Sequence, residues 1–349
     1  MRTRTLRTWL ACVAMLVLMA ASQANAGMDL PMSSIYMNTH PTVTNAWEPW
    51  FKEMAKATGG EVELTYFNPN TLCPISDYYD STVSGMLAIG AMDCPRNPGK
   101  FDLSNVLELP GLVPGAECGS LIISDLYAKY PEIQAEYKDI RLMWHWASAT
   151  YQLHTTTPVR TMADLKGMKI IAWNRTSINI LNALGANPIQ LPPTDNYLAL
   201  ERGMADGVLC PLAPIVSYKI SEAVKYTTIC DLFANAFWAG MNKDLWDGLS
   251  DGAKTAFTET TGKVMARRCG VTLDEGAIRD SETLKKGGHE FIVLDAAERD
   301  RWIAATAQLR ENWIAEMEGR GFKNARAIVE DAFRLRDQYA GETGRGFKM

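Results

Sequence analysis

The chain has 349 residues, enough for two lobes with separate cores, and its formal net charge is -5. No sustained basic run is present to meet a phosphate backbone, which argues against nucleic acid as a partner. Past the first 26 residues no apolar run reaches the roughly 18 residues that a membrane-spanning helix needs.

The amino terminus reads as a secretory leader over residues 1–26. Arg2, Arg4 and Arg7 precede an apolar stretch from Trp9 to Ala21, and Ala24-Asn25-Ala26 supplies the small residues of a cleavage site. The mature chain is then expected to begin at Gly27 in the periplasm, across the inner membrane, where disulfides are permitted.

In chain order, a strand over Leu30 to Asn38 is followed by the turn Thr39-His40-Pro41 and a helix carrying Trp47, Trp50, Phe51 and Met54. Thr58-Gly59-Gly60 stops that helix, and Glu61 to Phe67 alternates as a second strand. Next come a helix from about Ser76 to Gly85 and a strand from Leu87 to Met92. Lys100 to Leu112 reads as a crossing segment, with Leu103, Val106 and Leu109 as core, and Glu117 to Tyr137 as a helix. Leu142 to Tyr151 is a strand rich in aromatic residues, including Trp144 and Trp146.

From His154 to Val208 the pattern changes three times. A short apolar strand, Met168 to Trp173, precedes a helix from Ser177 to Leu184 that Gly185 stops. A strand from Pro188 to Leu191 and a helix from Asp195 to Gly203 follow, and Asp206-Gly207 turns into another strand. This β-α-β-α-β series predicts an open α/β sheet with ligand space at the carboxyl ends of its strands. Thr228 to Asn242 contains the run FANAFWAGMN. The remainder is helical, with a strand from His289 to Leu294 and long helices over Ala297 to Glu318 and Ala325 to Tyr339.

Several residues in this order form one pattern: His154-Thr155, Pro158-Val159, Asp164-Leu165, Gly167, Lys169-Ile170, Leu184-Gly185-Ala186, Pro188, Tyr197, Ala199-Leu200, Gly203 and Asp206-Gly207. It resembles the core of the solute-binding proteins of TRAP transporters (tripartite ATP-independent periplasmic transporters), the DctP family. KFDLSNVLELPGL and NKDLWDGLS extend the resemblance over nearly all of the mature chain.

The resemblance implies an α/β fold of two lobes with a cleft between them and long C-terminal bridging helices. Lobe 1 would span 27–151, lobe 2 152–238, and 239–349 would return to lobe 1 and bridge both. It further implies a monomer that closes on a small organic anion and delivers it to small and large membrane subunits, with no cofactor and no catalysis. A periplasmic hydrolase or isomerase on the same fold is the alternative, yet the chain has no G-x-S-x-G elbow, no H-E-x-x-H and no phosphate loop. No Cys/His cluster at zinc spacing points to a metal.

One departure bears on the ligand. Most relatives place after Lys-Ile an arginine that pairs with the solute carboxylate, and here that residue is Ile171. Arg175, four residues on, is the expected substitute. Asn38 and His40 at a strand end, Met92, Trp146, Trp173, Cys210, Phe237 and Trp238 complete the expected ligand-binding set. Hydrophobic core is the competing reading for each aromatic residue. With the arginine gone, they favour an aromatic or indole-type monocarboxylate over a compact C4-dicarboxylate.

Six cysteines follow the leader. Cys73 with Cys94 and Cys210 with Cys230 are the expected disulfides, because each pair lies within one lobe; buried free thiols are the alternative.

Overall fold

The computed structural model describes residues 27–343, so the leader expected over residues 1–26 lies outside it. Two mixed sheets define two lobes. The first has the order β2-β1-β3-β10-β4, built from β1 (Met28–Ser34), β2 (Val62–Phe67), β3 (Ile89–Asp93), β4 (Arg141–Ala147) and β10 (Ala236–Met241). The second has the order β11-β9-β5-β8-β6-β7, built from β5 (Gln152–Thr155), β6 (Lys169–Ala172), β7 (Asn187–Gln190), β8 (Gly207–Cys210), β9 (Tyr226–Ile229) and β11 (Glu290–Val293).

Each sheet has a strand that runs against its neighbours, and the chain path explains why. β10 is antiparallel to β3 and β4, and β5 is antiparallel to β8 and β9. Both strands enter their sheet from the cleft, at the end where the parallel strands finish. The two crossings, residues 148–151 and 230–235, lie side by side: the Ser148 amide donates to the Asn235 carbonyl at 2.9 Å and the Tyr151 amide to the Phe233 carbonyl at 2.9 Å. The aromatic strand expected over Leu142 to Tyr151 is therefore divided at Ala147, where it leaves lobe 1. β10 begins at Ala236, inside the stretch assigned to lobe 2 from sequence, and β11 joins the lobe 2 sheet from the C-terminal segment.

Of the helices, α1 (Glu48–Ala57), α2 (Ala116–Lys129), α3 (Arg175–Ala183), α4 (Lys263–Lys286), α5 (Ala296–Gly319) and α6 (Ala325–Thr343) matter most for the cleft. α2 stops at Lys129, short of the expected Tyr137, because Pro131 pushes Tyr130 into an extended conformation. Gly185, at a φ of +86° that favours glycine, ends α3's turn as expected.

The two long C-terminal helices tie the lobes together. α5 buries Trp302 with Leu153, Leu165 and Phe233 of lobe 2, and two turns and more further on it buries Ile314 and Met317 in the lobe 1 core. α4 places Met265 and Cys269 in lobe 1 and Leu284 in lobe 2. A helix that serves two cores presents different faces along its length, so it lacks a single apolar stripe.

All six cysteines after the leader are buried free thiols, Cys73, Cys94, Cys118, Cys210, Cys230 and Cys269. The expected disulfides are thus corrected. Cys210 packs among Ile171, Val208 and Leu212 whereas Cys230 packs with Leu153 and Phe233, so the two thiols belong to different cores. Among the described residues no helix is long and apolar enough to cross a membrane, and no group of three or more His, Cys, Asp and Glu stands ready for a metal.

Candidate ligand-binding cleft

The carboxyl ends of β1 and β3 and the amino end of β10 bring a row of side chains to one edge of lobe 1. In register, Asp93 faces Phe237 and Phe237 faces Trp146, so the three side chains stand on the same sheet face. Trp146 and Phe237 stack with centroids 4.8 Å apart. Tyr36, just past β1, continues the stack 5.8 Å from Phe237, and His40 closes it 3.8 Å from Tyr36 with its ring parallel. The result is a continuous aromatic wall whose outer rings, Tyr36 and His40, are part-exposed and whose inner rings, Phe237 and Trp146, are buried against Trp47 and Trp144.

Polar atoms on this wall are set by local chemistry. The Thr42 amide donates to His40 Nδ1 at 3.2 Å, which leaves the ring proton on Nε2. Burial lowers the His40 pKa to about 4, so the ring is a neutral donor at neutral pH. The Tyr66 hydroxyl donates to the Tyr36 carbonyl at 2.5 Å and fixes that turn. Burial raises the pKa of the Asp93 carboxyl, and Arg96, whose Nε donates to it at 2.7 Å, opposes the rise.

Lobe 2 and the crossings supply the opposite wall. Tyr151 stacks on Phe233 at 4.1 Å and meets Trp173 edge-on at 6.5 Å. Its hydroxyl accepts from Asn235 Nδ2 at 3.1 Å, and Asn174 Nδ2 donates to Asn235 Oδ1 at 3.5 Å. With the Asn196 amide oriented to satisfy its neighbours, the Trp173 indole donates to it at 2.9 Å, which locks the ring against helix Asn196–Glu201. Asp93 bears electrostatically on both Tyr36 and Tyr151 and so sits where the two walls approach.

A groove of about 930 Å³ runs beside this cleft, lined by Pro95, Asn105, Glu108, Arg175, Thr176 and Glu316 among others. Across it the Thr176 hydroxyl at the start of α3 donates to the Glu108 carboxylate of lobe 1. Burial raises Glu108 from its ordinary 4.5 to about 7, the Thr176 hydroxyl opposes this and Asp93 adds to it.

The expected site residues separate into groups. His40 and Trp173 are part-exposed on the two walls, whereas Trp146 and Phe237 are buried with Trp47 and Trp144 in the lobe 1 core. Asn38 is exposed in the turn after β1, where its amide donates to Asn68 Oδ1 at 2.7 Å. Met92 and Trp238 point to the other face of the sheet, where Trp238 packs on Tyr79 and Phe101 in the lobe 1 core. Cys210 is core, with its thiol pKa raised well above the ordinary value by burial. Arg175 is 79% exposed, its guanidinium 3.6 Å from Glu316, on the groove and off the aromatic walls. Ile171 is fully buried among Val208, Cys210 and Leu200, so the relatives' arginine position is dry core here. Sequence reasoning passed over Tyr36, Asp93, Arg96, Tyr151 and Asn235. Their positions next to strand ends were the available signal.

Two lobes whose strands end on a shared cleft, joined by two crossings and strapped by long helices, define a periplasmic-type solute receptor fold. The model of the bacterial extracellular solute-binding proteins, family 7 (DctP), matches residues 32–316, and the chain belongs to this family of TRAP transporter receptors, which bind solutes and are not enzymes. It is similar to the C4-dicarboxylate-binding periplasmic protein DctP of Rhodobacter capsulatus, 26% identical over 72% of this chain and 77% of that one. Among solved structures it is similar to a TRAP periplasmic solute-binding protein of Desulfovibrio salexigens, with TM-score 0.84, 27% identity, and coverage of 91% of this chain and 98% of the other. It is also similar to one of Bordetella bronchiseptica with bound (R)- and (S)-mandelate, with TM-score 0.78, 25% identity, and coverage of 89% and 99%.

Proposed function

We infer that this receptor works in the periplasm and takes an aromatic monocarboxylate, which it delivers to the membrane subunits of a TRAP transporter. The observation that supports the reading is the row of stacked rings that runs from the part-exposed His40 and Tyr36 to the buried Phe237 and Trp146 in lobe 1, with Tyr151 and Trp173 on the crossing and lobe 2. Flat aromatic faces gain most from a flat ligand that stacks on them and fills the space between the lobes. The aliphatic core at Ile171 removes the usual lobe 2 charge, which weakens the case for a ligand with two carboxylates. The mandelate-bound relative supports the same direction.

Lobe closure follows from the geometry, because a ligand lying on the lobe 1 wall gains its second set of contacts when Trp173 and Asn174 come over it. Thermal-shift and calorimetric titrations with benzoate, mandelate and indole-3-acetate against succinate and malate test the reading. Aromatic acids should raise the melting temperature more than either dicarboxylate. A larger shift with succinate would return the chain to the dicarboxylate class of its Rhodobacter relative.

A further inference from the structure

We propose that the ligand carboxylate is held from lobe 1 by the guanidinium of Arg96, in the place of the lobe 2 arginine that Ile171 has displaced. The proposal rests on the receptor reading above and names the charged contact within that site.

Arg96 ends the short turn Cys94–Arg96 that leaves the carboxyl end of β3, beside the aromatic wall. Its Nε donates to Asp93 Oδ1 at 2.7 Å, and the Asp93 side chain is itself only 7% exposed. Asp93 stands in register with Phe237 and Trp146, so the group that orients the guanidinium belongs to the wall. Among the described residues the hydrogen bonds of Arg96 stop at Nε, and its side chain is 52% exposed. A guanidinium tied at Nε still presents Nη1 and Nη2, and a planar pair of N–H donors matches the two oxygens of a carboxylate.

The other cations of this region are committed elsewhere. Arg175 faces Glu316 across the groove, Arg320 donates to Asp102 at 2.6 Å, and Lys100 lies 3.4 Å from Asp80 and over the ring of Tyr79. Arg96 is thus the cation that is both oriented by a buried partner on the wall and left with open donors. The surroundings also set a charge limit. Asp93 and Glu108 lie close enough to influence each other. A second ligand carboxylate would meet those two acids with one guanidinium among three or four acidic groups, which selects monocarboxylates. The anion would dock on lobe 1 while the lobes are apart, and lobe 2 would then cover its ring.

Calorimetric titration of the mature protein with benzoate, its neutral isostere benzamide, and succinate tests this, using the wild type, Arg96→Ala, Arg96→Lys and Arg175→Ala. Circular dichroism and the ligand-free melting temperature check that each variant folds. Arg96→Ala should weaken benzoate by at least about tenfold and benzamide by less than about twofold. Arg96→Lys, which keeps the charge and loses the fork, should fall between, and Arg175→Ala should leave benzoate unchanged. Benzoate affinity within about twofold of wild type in folded Arg96→Ala overturns the anchor while the aromatic reading stands. Wild type that binds succinate and not benzoate overturns the aromatic reading; loss of succinate in Arg96→Ala would then still support the anchor. Wild type that binds no carboxylate overturns both.

Discussion

Phe237 and Trp238 are neighbours on β10 and serve opposite ends of the protein's work. Phe237 is buried against Trp146, 4.8 Å away, on the face whose stack runs out through Tyr36 to the strand ends, while Trp238 turns to the other face and packs on Tyr79 at 5.7 Å and Phe101 at 5.6 Å. Strand alternation makes the two faces inevitable.

Substituting Phe237 should show in binding, beyond the stability that removing any buried ring costs. Phe237→Ala removes the centre of the stack, and we expect aromatic monocarboxylates to weaken by on the order of 1 to 3 kcal/mol, about five- to 150-fold. Titration of benzoate against wild type and variant reads this. An unchanged affinity would place the ligand elsewhere.

The adjacent residue should show in stability alone. Trp238→Ala empties a fully buried site and should cost about 3 to 5 kcal/mol of folding free energy. Urea unfolding should show a lower midpoint, while ligand affinity measured on the folded fraction stays close to wild type.

Restoring the relatives' arginine should not restore their ligand. Ile171→Arg would bury a guanidinium in the apolar cluster of Val208, Cys210 and Leu200. An unpaired buried charge costs several kcal/mol, so we expect a loss of at least about 3 kcal/mol in urea unfolding and no gain in succinate affinity.

Glu108 gives stability a defined pH dependence. Burial raises its pKa from 4.5 to about 7, so the folded chain holds that proton more tightly than the unfolded chain does. The resulting stability is complete below pH 4.5 and is lost as pH rises to about 7. Glu136 and Asp274 shift in the same direction, so the comparison must be made between proteins that keep both. Relative to wild type, Glu108→Gln should show a flatter decline in melting temperature between those limits. Parallel curves would show that Glu108 titrates normally.

The thiols offer a direct check on the two cores of lobe 2. A thiol reagent added to the mature protein in urea without reductant should titrate six groups, and the native protein should react slowly because all six are buried. Two or four thiols missing would restore the disulfides expected from sequence.

Much of the fold was legible from local chemistry. The strand Met168 to Trp173, the helix that Gly185 stops and α6 follow from hydrophobic period and turn residues, which act over a few positions, whereas α5 serves two cores in turn and has no single apolar stripe. Boundaries moved where a distant partner took over, as at Ala147, where the chain must leave one sheet for the other.

By itself the sequence determined an α/β chain, and its resemblance to the DctP family implied the two-lobed receptor and singled out Ile171 where most relatives keep an arginine, because periodicity and motifs are properties of neighbouring residues. Only the tertiary structure decided what each aromatic ring packs against, since alternation gives two faces: Tyr79 and Phe101 take up Trp238 on one, and Trp47 and Trp144 bury Phe237 and Trp146 on the other. It likewise separated Arg175 from Arg96. Both follow a strand end within a few residues, and what distinguishes them is the acid each meets: Glu316 on a helix more than a hundred residues away, or Asp93, buried in the wall itself.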